Sequence, residues 1–308
     1  MTGSRAAIDV GSNSVRLLIV DAEGRRILRE MAITRLAAGV DATGHLDDDA
    51  LERTLTTIAR FRTLADRHGV ADRLRIAATS AVRDAADRQR FFDGVQARTG
   101  VPAEVLTGEE EAAFAFAGAA MAVDVERPTV VIDIGGGSTE LIVGTASGEV
   151  AGSVSLQLGC VRVTERCLTS DPPTEGERRV ARRLIDDQLE LAVATLAGQH
   201  APVTTAVGAV AVAGTATTLG ALHLGLQAYD EDRIHGARIP TASLAMLVEE
   251  LGSLTSTERA ALGPVQAGRE DVIHGGAMIL HAILVRTGLD EVAISEADNL
   301  DGLVASLP

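Results

Sequence analysis

Ile8-Asp9-Val10-Gly11-Ser12-Asn13-Ser14-Val15-Arg16-Leu17-Leu18-Ile19 returns later in the chain as Ile132-Asp133-Ile134-Gly135-Gly136-Gly137-Ser138-Thr139-Glu140-Leu141-Ile142-Val143. Ile, Asp, Gly, Ser and Leu stand at matching places. In each copy an apolar run rich in β-branched residues meets a cluster of small residues and then resumes, which predicts strand, tight turn, strand. The Asp near the end of the first strand is costly to bury unless hydrogen-bond donors or a metal meet it. Two such hairpins predict two similar lobes, each presenting one loop to a shared cleft.

Outward from the first hairpin the pattern alternates helix and strand. Asp47 to His68 sets Leu51, Leu55, Ile58, Phe61 and Ala65 on one helical face and stops at Gly69. A strand is expected over Leu74–Ala78, a helix over Ala81–Arg98, a strand over Ala103–Leu106 and a helix over Glu109–Met121. The break at Asp124-Val125-Glu126-Arg127-Pro128 predicts a lobe boundary, with residues 1–122 forming the first lobe and 123–298 the second. In the second lobe helices are expected at 175–197, 242–251 and 271–285, and strands near 150–158, 206–213 and 291–294. The expected class is α/β with mixed sheets.

Composition narrows the chemistry. The chain of 308 residues is 46% hydrophobic and 23% charged, which suits folding throughout in two domains. All 28 basic residues are Arg, so a P-loop lysine, a Schiff base and a Ser-Lys pair are excluded. Phosphate must be held by Arg, backbone N–H groups or a metal. A net charge of -15 and the scarcity of aromatics (one Tyr, five Phe, no Trp) argue against general nucleic-acid binding. The charge is uneven: residues 1–122 hold 16 Arg and 18 acids, the remainder 12 Arg and 25 acids, so an anion meets less repulsion from the first lobe. Cys160 and Cys167 match no zinc spacing and read as free thiols. Ala201–Leu222 carries no charge, yet its Gly, Thr and Ala content suits a buried strand between turns better than a membrane span. No signal peptide is visible, and a cytoplasmic location is expected.

Several residues have the chemistry of an anion site, each with a plainer alternative. Gly11, Ser12, Asn13 and Ser14 can form a nest for phosphate oxygens or an ordinary turn. Gly135, Gly136, Gly137, Ser138 and Thr139 make the stronger case, because three consecutive glycines are entropically costly unless a ligand must approach the backbone closely. Asp133 and Glu140 flank that loop. As two hard oxygen donors they suit Mg²⁺ bridging to phosphates, or else serve as a turn cap and a solvated strand residue. Arg83, after Thr79-Ser80, can clamp phosphate through two parallel hydrogen bonds or lie on a helix surface. Arg16 is a weaker candidate. Glu110 stands at capping-box spacing from Thr107, which assigns it a structural role. Gly214 and Thr215 open a Gly/Thr cluster that by itself reads as plain helix capping. The seven histidines form no metal motif and read as core or surface.

Together, Asp9-x-Gly-Ser-Asn-Ser14, Ala78-Thr-Ser-Ala-Val-Arg-Asp-Ala85, Gly108-Glu-Glu-Glu111-Ala112, Asp133-x-Gly-Gly-Gly-Ser-Thr-Glu140 and Gly214-Thr-Ala-Thr-Thr218 resemble, in family order and over nearly the whole chain, the exopolyphosphatase and guanosine-pentaphosphate phosphatase (Ppx/GppA) family. The resemblance implies two ribonuclease-H-like lobes of the actin, sugar-kinase and chaperone ATPase type, with mixed sheets around a central cleft. It implies hydrolysis of terminal phosphate from inorganic polyphosphate or pppGpp with Mg²⁺ or Mn²⁺, no membrane association, and a homodimer. It assigns Glu111 as general base, Asp133 and Glu140 to metal or water positioning, and Gly214 and Thr215 to a nucleotide-side loop. The segment 299–308 resembles the family's closing helix, which returns to the first lobe. Longer members add a C-terminal helical domain that this chain lacks. With few aromatics for guanine to stack on, short-chain polyphosphate is favoured over pppGpp. A kinase of the same fold and a silent sensor are the other readings.

Overall fold

The computed structural model describes residues 3–70, 72–122, 128–145 and 149–307. In chain order the elements are β1 (Arg5–Val10), β2 (Ser14–Val20), β3 (Arg26–Ile33), α1 (Val40–Thr43), α2 (Asp48–Arg67), β4 (Leu74–Ala78), α3 (Ser80–Asp84), α4 (Gln89–Thr99), β5 (Ala103–Val105) and α5 (Gly108–Ala122). There follow β6 (Thr129–Ile134), β7 (Thr139–Gly144), β8 (Val150–Leu156), α6 (Cys160–Cys167), α7 (Glu175–Gly198), a 3-10 turn (Val203–Thr205), β9 (Gly208–Val212), α8 (Ala213–His223), α9 (Glu231–Ile234), β10 (Arg238–Pro240), α10 (Thr241–Ser253), α11 (Ser256–Ala260), α12 (Ile273–Thr287), β11 (Glu291–Ile294) and α13 (Asn299–Ala305). The chain divides into two compact units, Met1–Phe114 with Asn299–Pro308, and Ala115–Asp298. Residues 124–127 of the expected lobe break lie outside the described residues.

Each unit is built on a mixed sheet. The first runs β3-β2-β1-β4-β5, with β1 antiparallel to β2 and parallel to β4. In the second, ordered β10-β11-β9-β6-β7-β8, β6 is likewise antiparallel to β7 and parallel to β9. Both repeated segments are hairpins, as the sequence predicts, and each lies inside its sheet rather than at an edge. Asp9 stands opposite Arg16 in one and Asp133 opposite Glu140 in the other. Both sheets, and the ribonuclease-H-like α/β class, agree with expectation.

In the first unit one sheet face is covered by α2 and α4. The carboxylate of Asp47 caps α2 by accepting from Ala50 N at 2.9 Å. The helix buries Leu51, Leu55, Ile58, Phe61 and Ala65, and Gly69 ends the segment at φ +75°. Each large side chain so buried stabilises by roughly 1.5–3 kcal/mol. On the other face Leu300, Leu303 and Val304 of α13 bury against Ala7, Leu18 and Val20. In the second unit α7, α8, α10 and α12 supply Ile185, Leu189, Leu219, Leu244, Met278 and Ile279 to one large core. Thr174 and Glu177 close a capping box on α7. The amides that Glu177 accepts from, Thr174 N foremost, hold its carboxyl at about 2.

The helix expected over 81–98 is instead two, α3 and α4. The helix breaks at extended Ala85 and the chain turns over 86–88, where Ala86 N donates to Gly44 O at 2.8 Å and Asp87 accepts from Leu46 N at 3.0 Å, so tertiary hydrogen bonds outweigh helix propensity there. The uncharged stretch at 201–222 resolves into the 3-10 turn, β9 and α8. No helix among the described residues is long and apolar enough to cross a membrane. Strand β8 closes one side of the second sheet, and there the side-chain amide of Gln199 accepts from Ser153 N and donates to Ser153 O, both at 3.0 Å.

Candidate functional site

The first hairpin turns through Gly11, whose N–H donates to Ser14 O at 2.9 Å. The carbonyls of the loop are then captured: Asn13 O accepts from Thr34 N and Arg35 N, and Ser12 O from Ala37 N. With the carbonyls drawn one way, the loop amides face the other. Among the described residues nothing accepts from Ser12 N or Asn13 N. Asn13 is 6% exposed, and neither its Oδ1 nor its Nδ2 has a hydrogen-bond partner. A buried amide left in this state is the signature of a place kept for a polar ligand. Arg35, which helps hold the loop, sits at φ +54°, a strained conformation for an L-residue.

The second hairpin repeats the arrangement with different parts. Gly135 N donates to Ser138 O at 3.0 Å, and helix α6 plays the role of residues 34–37. Its first amides bind the glycine loop, Cys160 N to Gly135 O at 3.0 Å and Val161 N to Gly136 O at 2.9 Å, and Arg162 Nε donates to Gly137 O at 2.8 Å. Nothing among the described residues accepts from Gly136 N or Gly137 N. A Cβ at Gly159 would overlap the Gly136 carbonyl, so helix and loop touch backbone to backbone. Thr139 Oγ1 donates to Leu158 O at 2.5 Å, a task in holding β7 rather than the ligand contact expected for it.

Asp133 and Glu140, directly opposite in register, project from the same face of the sheet. They are 4% and 0% exposed, and Ser155 Oγ donates to Glu140 Oε1 at 2.7 Å. Two buried carboxylates with a hydroxyl behind one of them fit Mg²⁺, a hard cation that prefers oxygen. Among the described residues no group of three or more His, Cys, Asp or Glu is placed to hold a metal.

Arg83 and Glu111, picked separately from the sequence, meet. Arg83, on α3, donates Nη1 to Leu106 O at 2.8 Å and lies 3.3 Å from Glu111 Oε2. Glu111 is 6% exposed in the first turn of α5, while neighbouring Glu110 accepts from Thr107 N at 2.8 Å and closes the capping box. Those Thr107 bonds hold the Glu110 carboxyl below its usual range. Ser80 Oγ lies 2.9 Å from Ser12 Oγ, which ties the Thr79-Ser80 motif to the first loop.

At Gly214 the space a side chain would take is filled by the guanidinium of Arg269, a buried residue that the sequence reading missed. Ala213, just before, sits at φ +65°. Thr215 is buried against Gly276, and Thr218 Oγ1 donates back to Gly214 O at 2.7 Å. The signal for Arg269 was the Gly-Arg-Glu-Asp run at 268–271, a charged cluster that opens an apolar helix. Cys160 and Cys167 are free and buried, and burial pushes both thiols up, so neither is a ready nucleophile. Arg16 binds Asp9 instead of facing a ligand.

Comparison with known proteins places the whole chain in a family. Exopolyphosphatase 2 of Mycobacterium tuberculosis is 44% identical over 98% of both chains. The crystal structure of an exopolyphosphatase-like protein superposes with a TM-score of 0.93 at 35% identity over 98% of both chains. The Aquifex aeolicus member of the Ppx/GppA protein family does so with a TM-score of 0.79 at 29% identity, covering 99% of this chain and 97% of that one. The profile of the Ppx/GppA phosphatase family matches residues 18–307, and the chain belongs to that family.

Proposed function

We propose that this protein is an exopolyphosphatase that removes the terminal phosphate of inorganic polyphosphate, with short chains as its preferred substrate and Mg²⁺ or Mn²⁺ as its cofactor. The lobes, 1–122 with 299–308 and 123–298, contribute one phosphate loop each. The observation that carries this reading is the buried Glu111 carboxylate beside Arg83, on the unit whose first loop leaves the Ser12 and Asn13 amides with no acceptor among the described residues. A buried base, with a guanidinium beside it on the unit that carries a phosphate loop, supplies parts that phosphoanhydride hydrolysis requires. The name of the 44%-identical Mycobacterium tuberculosis relative supports polyphosphate as substrate.

In this mechanism the amides of Ser12, Asn13, Gly136 and Gly137 donate to phosphate oxygens, with the Ser14, Ser138 and Thr139 turns shaping the loops. Arg83 clamps the terminal group. Asp133 and Glu140 would hold the divalent cation, which when bound neutralises phosphate charge. Glu111 takes a proton from water as that water attacks the terminal phosphorus; the phosphoanhydride P–O bond breaks, and the shortened chain leaves with the electron pair. Gly214 and Thr215 border the remainder of the substrate. The working form is a cytoplasmic homodimer, as the family resemblance implies.

The test is phosphate release from short-chain polyphosphate, long-chain polyphosphate and pppGpp, with and without Mg²⁺, using Glu111→Gln as control. Mg²⁺-dependent release that is fastest on short chains and lost in the variant is expected. Release from pppGpp alone would replace polyphosphate as substrate, and no release from any of them would overturn the hydrolase.

A further inference from the structure

The two hairpins share a turn and a register but differ in charge at one position. Where the second hairpin sets Glu140 opposite Asp133, the first sets Arg16 opposite Asp9. Arg16 approaches a single oxygen of Asp9 with two nitrogens, Nη2 at 2.5 Å and Nε at 3.0 Å from Oδ2. The same Nη2 donates to Asn299 Oδ1 at 2.5 Å. Asn299 is the first residue of α13, and one turn later a Cβ at Gly302 would overlap the backbone of Phe114, so the helix that carries Asn299 is seated without slack. The side chains of Arg16 and Asp9 are 14% and 3% exposed. Withdrawing the guanidinium would take a charge partner from a buried carboxylate, which is far costlier than keeping the pair.

We infer that Arg16, pinned by Asn299, is a built-in cation that occupies in the first hairpin the place a divalent cation takes in the second, so that the chain binds one divalent cation, on Asp133 and Glu140, and none on Asp9. The comparison with a divalent cation on Asp133 and Glu140 rests on the metal reading above; the pairing of Arg16 with Asp9 and Asn299 does not. Arg16 is a positioning residue. It offsets the Asp9 charge beneath the first phosphate loop, so the amides of Ser12 and Asn13 meet an anion without a bare carboxylate behind them.

The experiment is a Mn²⁺ titration of the full chain, followed by the electron paramagnetic resonance of free Mn²⁺, together with thermal unfolding. Wild type is expected to bind one Mn²⁺ tightly, Asp9→Asn one and Asp133→Asn none. Arg16→Glu gives the first hairpin the charge pattern of the second and is expected to bind a second Mn²⁺. That site should persist in the Arg16→Glu, Asp133→Asn double variant, whose Tm should rise by several degrees on adding Mn²⁺. Should the glutamate variants fail to fold, Arg16→Met in the Asp133→Asn background takes their place, with a Mn²⁺-dependent rise in Tm expected there and absent from Asp133→Asn alone. Two sites in wild type, a single site lost with Asp9→Asn but kept by Asp133→Asn, or no added site in the folded Arg16 variants would each overturn the inference. No Mn²⁺ on wild type but one on Arg16→Glu would uphold the role of Arg16 and remove the Asp133 and Glu140 metal reading instead.

Discussion

Arg83 Nη1 lies 3.3 Å from Glu111 Oε2 and 2.8 Å from the Leu106 carbonyl, so one guanidinium nitrogen braces both the carboxylate on α5 and the segment leading into it. The two residues should then fail differently when replaced. Glu111→Gln removes the proton acceptor and keeps the shape, and kcat should fall by ~10²–10⁴-fold with KM little changed. Arg83→Gln removes a charge-assisted contact, and KM for polyphosphate should rise by about 10–100-fold. Initial rates over a substrate series decide this; a Glu111→Gln enzyme with wild-type kcat would end the general-base assignment.

Gly159 lies against the glycine loop with no room for a methyl group, because its Cβ would overlap the Gly136 carbonyl. Gly159→Ala is expected to destabilise by about 1–3 kcal/mol and to weaken substrate binding, since the loop must shift off the α6 amides. Gly198→Ala, at a site with nothing within 4 Å, should change neither. Urea unfolding and KM, measured on both variants, test the contrast.

The fit of Arg269 into the space at Gly214 couples the two positions. Because the obstacle is the end of a flexible side chain, Gly214→Ala should fold with a small loss of stability and a displaced guanidinium. Its effect on kcat/KM and that of Arg269→Ala should not add, the double variant being within about 1 kcal/mol of either single one. Full additivity would mean that the contact has no functional weight.

His274 is buried in α12, where desolvation first and the nearby Arg259, Arg178 and Arg182 second push its pKa from 6.5 down to about 4. Above pH 6.5 both folded and unfolded chains hold it neutral. Between pH 6.5 and about 4 only the unfolded chain takes up the proton, so folding stability should drop as the pH falls through this window, by on the order of 3 kcal/mol in all, and level off below it. Denaturant unfolding from pH 7 to pH 4.5 should show a shallower decline for His274→Leu than for wild type. Parallel curves would remove His274 as the cause.

The repeated hairpins were legible because Asp, Gly, Ser and Leu recur at fixed places, and the pattern alone gave strand, turn and strand in each of two similar lobes. Helix α2 was legible for a similar reason, an apolar stripe bounded by Asp47 and Gly69. Strand β3 was not: Arg26-Ile-Leu-Arg-Glu-Met-Ala-Ile33 carries three charges and no clean alternation, and it is a strand because β2 offers it a full ladder. Helix α6 was hidden by its shortness, although its amides orient the second loop. Asn299 and Arg269 escaped notice because their meaning depends on partners far along the chain, Arg16 and Gly214, and no local spacing encodes such a meeting. For Arg16 the sequence pointed to a ligand, and the structure supplied Asp9 instead.

Gln199 has a consequence for how this protein behaves when crowded. Its side-chain amide imitates a passing peptide group and saturates Ser153 on both of its backbone groups, at the rim of a sheet that would otherwise offer an unbroken ladder to a neighbouring polypeptide. Sheet growth from copy to copy is thereby interrupted midway along β8 by one side chain, and Gln199→Ala would remove that stopper without touching the hydrophobic core.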